Sequence, residues 1–251
     1  MRKIFLLVFI ITQILFCQVN TEKYRNLKDS LGLSGVIKLD ASIQTGNTDL
    51  QELGSEINLN YKKSPSTLLL ILKGDYGWKN EEQFSNEALA HLRFVHEINP
   101  DLKFEAFTQI NYDKSLLLLF RALGGAGLRF KLFESNNSIL WLGTAYMLEY
   151  ERYEKPREFI DKKNITANRW SNYLSYNLSI QKNVSLSSVI YYQPRFDLWK
   201  DERILIENSL IVNLSDSFSL SVEFDLRYDR YPAIGIKDTD TNSKIGFVFN
   251  F

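Results

Sequence analysis

Cysteine is almost missing from this sequence. Cys17 is the only one, and it stands at the end of an N-terminal segment. Without residues 1–17 the chain has no disulfide framework and no thiol for nucleophilic or metal chemistry. Histidine is nearly as scarce, with His91 and His96 alone. No charge of one sign dominates, since 30 basic residues face 30 acidic ones. Losing Arg2 and Lys3 with the leader leaves 28 against 30, a net charge of −2 with no basic run, which excludes the electrostatic footprint of a nucleic-acid binder. No apolar run reaches the roughly 20 residues of a spanning helix. No helical periodicity interrupts the chain after its first 32 residues.

The longest apolar run, Ile4 to Phe16, follows Arg2 and Lys3. That is the h-region of a signal peptide behind a basic n-region, with cleavage expected near Cys17-Gln18. Cys17 invites a lipid anchor, but Phe16 precedes it where such sites carry Gly, Ala or Ser. The expected organisation is a signal peptide over 1–17, a short tether over 18–32 and one domain over 33–251.

What the chain has in abundance is alternation. Ile245, Phe247, Phe249 and Phe251 share one face of the last strand. Before it, Leu220, Val222, Phe224, Leu226 and Tyr228 alternate with Ser219, Ser221, Glu223, Asp225, Arg227 and Asp229. Period-two alternation between an apolar and a charged face calls for two different solvents. The pattern predicts twelve strands, at about 33–45, 50–63, 67–79, 84–97, 102–113, 116–132, 138–151, 169–182, 184–199, 202–214, 218–231 and 243–251. These average about 14 residues, against about 5–6 for strands of soluble proteins. Tight polar turns at 63–66, 98–101, 134–137, 182–183 and 215–217 contrast with long connections at 152–168 and 232–242. Short turns on one rim, longer loops on the other and an even strand count describe an outer-membrane β-barrel. A soluble sandwich would need paired inner faces from two sheets. Tyr61, Trp78, Tyr112, Tyr150, Trp170, Tyr228 and Phe251 fall near strand ends on the apolar face, as interfacial girdles do. The expected fold is therefore all-β: a transmembrane antiparallel up-and-down barrel of about 12 strands.

Gly124-Gly125-Ala126-Gly127 lies inside a strand pattern, where glycine marks a kink or close approach. It has neither the spacing nor the following helix of a phosphate cradle. That segment, Arg121 to Arg129, together with the Gly46-Asn47-Thr48-Asp49 turn and the aromatic C-terminal strand, resembles the bacterial family of salt-induced outer-membrane proteins. The family is otherwise labelled a domain of unknown function. The resemblance covers roughly residues 33–251 and implies an outer-membrane barrel linked to salt or osmotic stress. It brings no catalytic or ligand residues.

On the polar face the candidate lumen-lining residues are Lys38, Asp40, Lys73, Asp75, Glu87, His91, Arg93, Arg121, Arg129, Glu149, Glu223, Asp225, Arg227 and Asp229, joined by Glu56, Glu105, Arg195 and Glu207. Mixed charges fit either a narrow hydrophilic passage or an interior filled by its own salt bridges. With no loop evidently long enough to plug the barrel, the passage is the expectation. A lipid-modifying enzyme is the alternative. His96 lies on the lipid side near the short-turn rim, but the sequence supplies it no serine partner. Asp238-Thr-Asp240-Thr-Asn242 imitates half a calcium loop yet has Ser243 at the glycine position and Phe249 at the acidic one. No catalytic, cofactor or metal residues are expected. The expected partners are outer-membrane lipid, the barrel-assembly machinery acting on the C-terminal aromatic strand, and small solutes.

Overall fold

A computed structural model describes residues 31–44, 50–79 and 82–251, without the side chains of 42–44, 50, 51, 79 and 82–85. The leader, most of the tether and the Gly46–Asp49 turn lie outside the described residues. Twelve antiparallel strands form one closed sheet: β1 (Gly32–Gln44), β2 (Leu50–Lys63), β3 (Ser66–Lys79), β4 (Glu82–Asn99), β5 (Leu102–Asp113), β6 (Leu118–Glu134), β7 (Ser138–Tyr153), β8 (Asn164–Gln181), β9 (Val184–Tyr192), β10 (Arg203–Asn213), β11 (Phe218–Asp229) and β12 (Thr239–Asn250). Each strand pairs with its sequence neighbour, and β12 closes on β1 from Val36↔Asn250 to Asp40↔Gly246. Phe251 and Gly35 exchange both backbone hydrogen bonds at that seam, 2.9 and 3.0 Å long. Closure joins the first and last strands of the sheet, which is what a wall facing hydrocarbon requires.

The outer face is apolar all round. Leu39, Leu53, Ile110, Tyr146, Ile245 and Phe247 are more than half exposed, in company with Leu72, Phe94, Leu148, Leu174 and Phe224. A continuous apolar surface of this extent is not viable in water and matches the lipid-facing belt of a transmembrane barrel. Of the expected girdle, Tyr61, Tyr112, Tyr150, Trp170 and Phe251 are exposed on this face. The chain is an outer-membrane barrel.

Three features differ from the sequence reading. β8 begins at Asn164 rather than about 169, which shortens the preceding connection. β9 ends at Tyr192, so residues 193–202 form a third long loop where alternation alone extended the strand to about 199. Pro194 explains the end, because proline cannot donate to a ladder. Finally, the inner face is not purely polar. Leu69, Ile71, Met147, Val189, Tyr191, Leu205 and Val248 are buried inside the barrel, their apolarity offset by polar neighbours along the same strands.

The glycines of the β6–β7 wall show why bulk is absent there. A Cβ on Gly125 would come within 2.6 Å of the Phe107 ring and 2.7 Å of the Tyr146 carbonyl oxygen. One on Gly143 would collide with the Tyr173 ring. These positions let aromatic rings lie flat on the inner wall. Gly143→Leu is expected to push Tyr173 out and destabilise the barrel by about 1–3 kcal/mol, the usual cost of overpacking. Denaturant unfolding in lipid vesicles measures it, and an unchanged midpoint would show that Tyr173 has room to move.

Candidate functional site

The interior of the barrel is the candidate site, and its chemistry is ionic. Glu149, on the inner face of β7, is the hub. It accepts hydrogen bonds from Arg121 of β6 (Nη2 2.6 Å, Nε 3.1 Å), from Arg169 Nε of β8 (2.5 Å) and from Arg203 Nη1 of β10 (3.2 Å). Two residues along the same face, Glu151 accepts from Arg203 Nη2 at 2.9 Å. Period two sets Glu149, Glu151 and Tyr153 in one inward column, and register sets Arg121 opposite Glu151 and Arg203 opposite Asp229. Arg121, Arg169, Arg203 and Glu149 are all fully buried.

Above this hub the long loops turn inward. Arg157, from the 154–163 loop, is itself fully buried. Its guanidinium donates to Asp201 (3.1 and 3.2 Å), to Asp229 (2.7 Å) and to the Tyr231 carbonyl (2.6 Å). Asp201, from the 193–202 loop, also accepts from Arg169 (3.0 Å) and Arg195 (3.1 Å). Backbone hydrogen bonds tie the 154–163 loop to the 230–238 loop, Glu158 N to Pro232 O at 2.8 Å and Ile234 N to Pro156 O at 2.9 Å. Beneath them Leu116, Leu118, Tyr153, Ile165, Ala167 and Ala233 form a small buried apolar cluster. These three loops thus fold inward over the barrel interior, contrary to the expectation that no loop is long enough to plug it. A loop needs only one arginine to do so, because its side chain is long and carries five donors in a planar fork.

Burial pushes the Asp201 carboxyl up, but Arg157, Arg169 and Arg203 outweigh it and hold the group below its ordinary value of 3.8. A depressed native value means that the stabilisation is present above the unfolded value and lost as pH falls through the native one. The protection factors of the 154–163 segment, with the intrinsic pH dependence of amide exchange divided out, are therefore expected to stay flat between about pH 5 and 8 and to fall only in stronger acid. A fall in protection at about pH 6 would show that the loop is held by another group.

Two further networks complete the interior. Lys38 donates to Glu223 at 2.8 Å across the β1–β12 seam and lies 3.2 Å from Asp40. Lys244 contacts Asp75 and approaches Asp40 and Glu52. On the opposite wall Arg93 and the Tyr173 hydroxyl both donate to Glu105, at 3.3 and 2.7 Å. Arg93 Nε points at His91 Nε2 (3.4 Å), which makes that nitrogen an acceptor and directs the Nδ1 proton to Gln109 at 3.2 Å.

All fourteen lumen candidates face inward. Lys38, Asp75, Glu87, His91, Arg93, Arg121, Arg129, Glu149, Glu223, Arg227 and Asp229 are buried, while Asp40, Lys73 and Asp225 are half-buried. Missed were Arg157 and Asp201, which sit in loops without periodicity, and Arg203 at the very start of its strand. Between the networks a gap lined by Arg93, Glu105, Tyr173 and Tyr191 measures about 10 Å³, enough for a single water. At the short-turn rim the interior widens into a cavity of about 390 Å³.

His96 does have a serine neighbour. Ser66 pairs with it across β3 and β4, its hydroxyl 2.9 Å from Nδ1. The sequence could not supply this, since only register brings residues 30 apart together. On the far side the ring stacks against Phe94 at 6.3 Å, an apolar contact and not an orienting acceptor. Among the described residues no group of histidines, cysteines and carboxylates could hold a metal ion.

Known proteins share this architecture. An outer-membrane channel from Pseudomonas putida F1 superimposes with a TM-score of 0.54, covering 93% of this chain and 100% of that one at 8% identity. The translocator domain of the autotransporter NalP from Neisseria meningitidis gives 0.49 at 10% identity, over 89% and 90% of the two chains. The NanC porin gives 0.48 at 8% identity, over 86% and 97%. At these identities the likeness concerns the fold. No curated protein matches the chain. The family model described as "Protein of unknown function, DUF481" matches residues 37–251.

Proposed function

Since the chain belongs to the DUF481 family of unknown function, we propose from its interior that it is a narrow, gated passage for small solutes in the bacterial outer membrane. The observation that carries this reading is the arginine–carboxylate clasp across the barrel, from Arg121 through Glu149 and Arg203 to Arg157 and Asp201. A fixed hydrophobic plug would close the barrel permanently. A clasp of charges, one of them on a loop, is a closure that water and ions can replace when the loop lifts. Fixed charges of both signs also suit discrimination among small solutes by size and charge.

The resemblance to salt-induced outer-membrane proteins extends the proposal to a role under salt or osmotic stress. The C-terminal strand ending on Phe251, with its apolar outer face, is proposed as the handle for the barrel-assembly machinery.

Single-channel recording in planar bilayers tests the passage. The expected trace is mostly closed, with discrete small openings. Complete silence across voltages would leave a sealed structural barrel instead. The competing reading, a lipid-modifying enzyme, rests on the Ser66–His96 contact alone. A hydrolase would orient its histidine through a third group, and the apolar neighbour Phe94 does not do so. Phospholipid hydrolysis that disappears in His96→Ala would nonetheless replace the passage reading.

A further inference from the structure

We propose that the short-turn mouth of the barrel, the periplasmic side in such proteins, is a binding site for a small uncharged polyhydroxylated solute such as a polyol or disaccharide. The cavity there measures about 390 Å³, within the range of small-molecule sites. Its lining differs in kind from the rest of the interior. Elsewhere the inner wall carries networks of paired charges between its neutral and apolar side chains. Here the only charged liners are Glu134 and Lys182, both exposed at the rim, and Glu134 already accepts from Lys131 at 2.7 Å.

Deeper in, register sets Asn177, Ser187 and Ser209 side by side on β8, β9 and β10. Ser187 and Ser209 are 4% and 2% exposed, both line the cavity, and neither hydroxyl has a hydrogen-bond partner. Buried hydroxyls left unpaired are uncommon in proteins, and two of them among the residues lining one cavity point to a partner supplied from outside. Each hydroxyl can donate one hydrogen bond and accept two, and the Asn177 amide supplies both roles. Neighbouring strands repeat at about 4.8 Å, which spreads these groups as an array across the wall. An array of neutral donors and acceptors matches a molecule that is itself hydroxyl on every carbon. It offers nothing to compensate a desolvated charge. Ile139 on β7 and the buried Ile211 on β10 flank this row and add apolar contacts for the C–H face of a sugar ring.

This site does not depend on whether the barrel conducts, since binding is read in detergent micelles and conduction in bilayers. The test is a ligand-observed NMR titration of the full chain with trehalose and sorbitol, with glucuronate as the anionic control. Saturable binding of trehalose or sorbitol in the millimolar range is expected, with glucuronate clearly weaker. The double variant Ser187→Ala, Ser209→Ala is expected to weaken binding about tenfold or more through loss of two hydrogen bonds. Both substitutions remove only an oxygen, so the barrel should fold. Lys63→Ala, exposed at the end of β2 and outside the cavity lining, should leave the affinity unchanged. The proposal is overturned by any of three results: no saturable binding of either neutral solute, glucuronate binding as tightly as trehalose, or unchanged affinity in the double variant.

Discussion

Arg157→Ala is expected to convert a mostly closed barrel into a mostly open one. Among the described residues Arg157 is the only loop arginine that reaches Asp201, Asp229 and the Tyr231 carbonyl together, and it is fully buried in doing so. Removing one partner of a buried ionic cluster typically costs about 3–5 kcal/mol, because the remaining charges stay buried without compensation. Here the cost falls on the closed state alone. Once the 154–163 loop lifts, Asp201 and Asp229 regain water. A bias of that size shifts the closed-to-open ratio by about two to three and a half orders of magnitude. Single-channel open probability reads this directly. Arg157→Lys should recover part of the closure, since an ammonium keeps the charge but not the planar fork that spans two carboxylates. An open probability equal to that of the unmodified protein would assign closure to some other segment.

The second large effect is expected at Glu149, and on stability rather than gating. Glu149→Gln keeps the shape but removes the one carboxylate that Arg121, Arg169 and Arg203 share. All three guanidiniums are fully buried in the closed barrel, so there they lose their shared partner without gaining hydration. The expected loss is again about 3–5 kcal/mol, now of the whole barrel, seen as a lowered midpoint for denaturant unfolding from vesicles. The pair between Lys103 and Glu97 provides the contrast, with side chains 24% and 45% exposed at 3.2 Å. Glu97→Gln should cost less than about 1 kcal/mol, as exposed ion pairs do. Equal losses at Glu149 and Glu97 would mean that water reaches the hub freely.

These expectations depend on features that differ in how far the sequence reveals them. Strand positions were legible because period-two alternation is local. Leu220 to Tyr228 against Ser219 to Asp229 can be read within a dozen residues, and burial follows the same parity in the fold. The inward direction of Glu149, Arg121 and Asp229 was legible for the same reason. Alternation overshot at β9, where it ran on past Pro194 into a loop, and it missed Arg157 and Asp201, which carry no periodic signal. It was also blind to the inner apolar side chains such as Ile71 and Val189, whose burial depends on strands on neighbouring walls. The Ser66–His96 contact and the Asn177–Ser187–Ser209 row arise only from register, which no stretch of sequence encodes by itself.

By itself, then, the sequence determined that this protein has a wall with lipid on one side and polar groups on the other. Each residue's side follows from its parity along its own strand. Only the tertiary structure decided which charges meet across the interior, that three loops fold inward at one end, and that the other end opens into a cavity without buried charge. Those outcomes depend on distances between strands and loops far apart in the chain, set when β12 closes on β1 and the barrel acquires an inside.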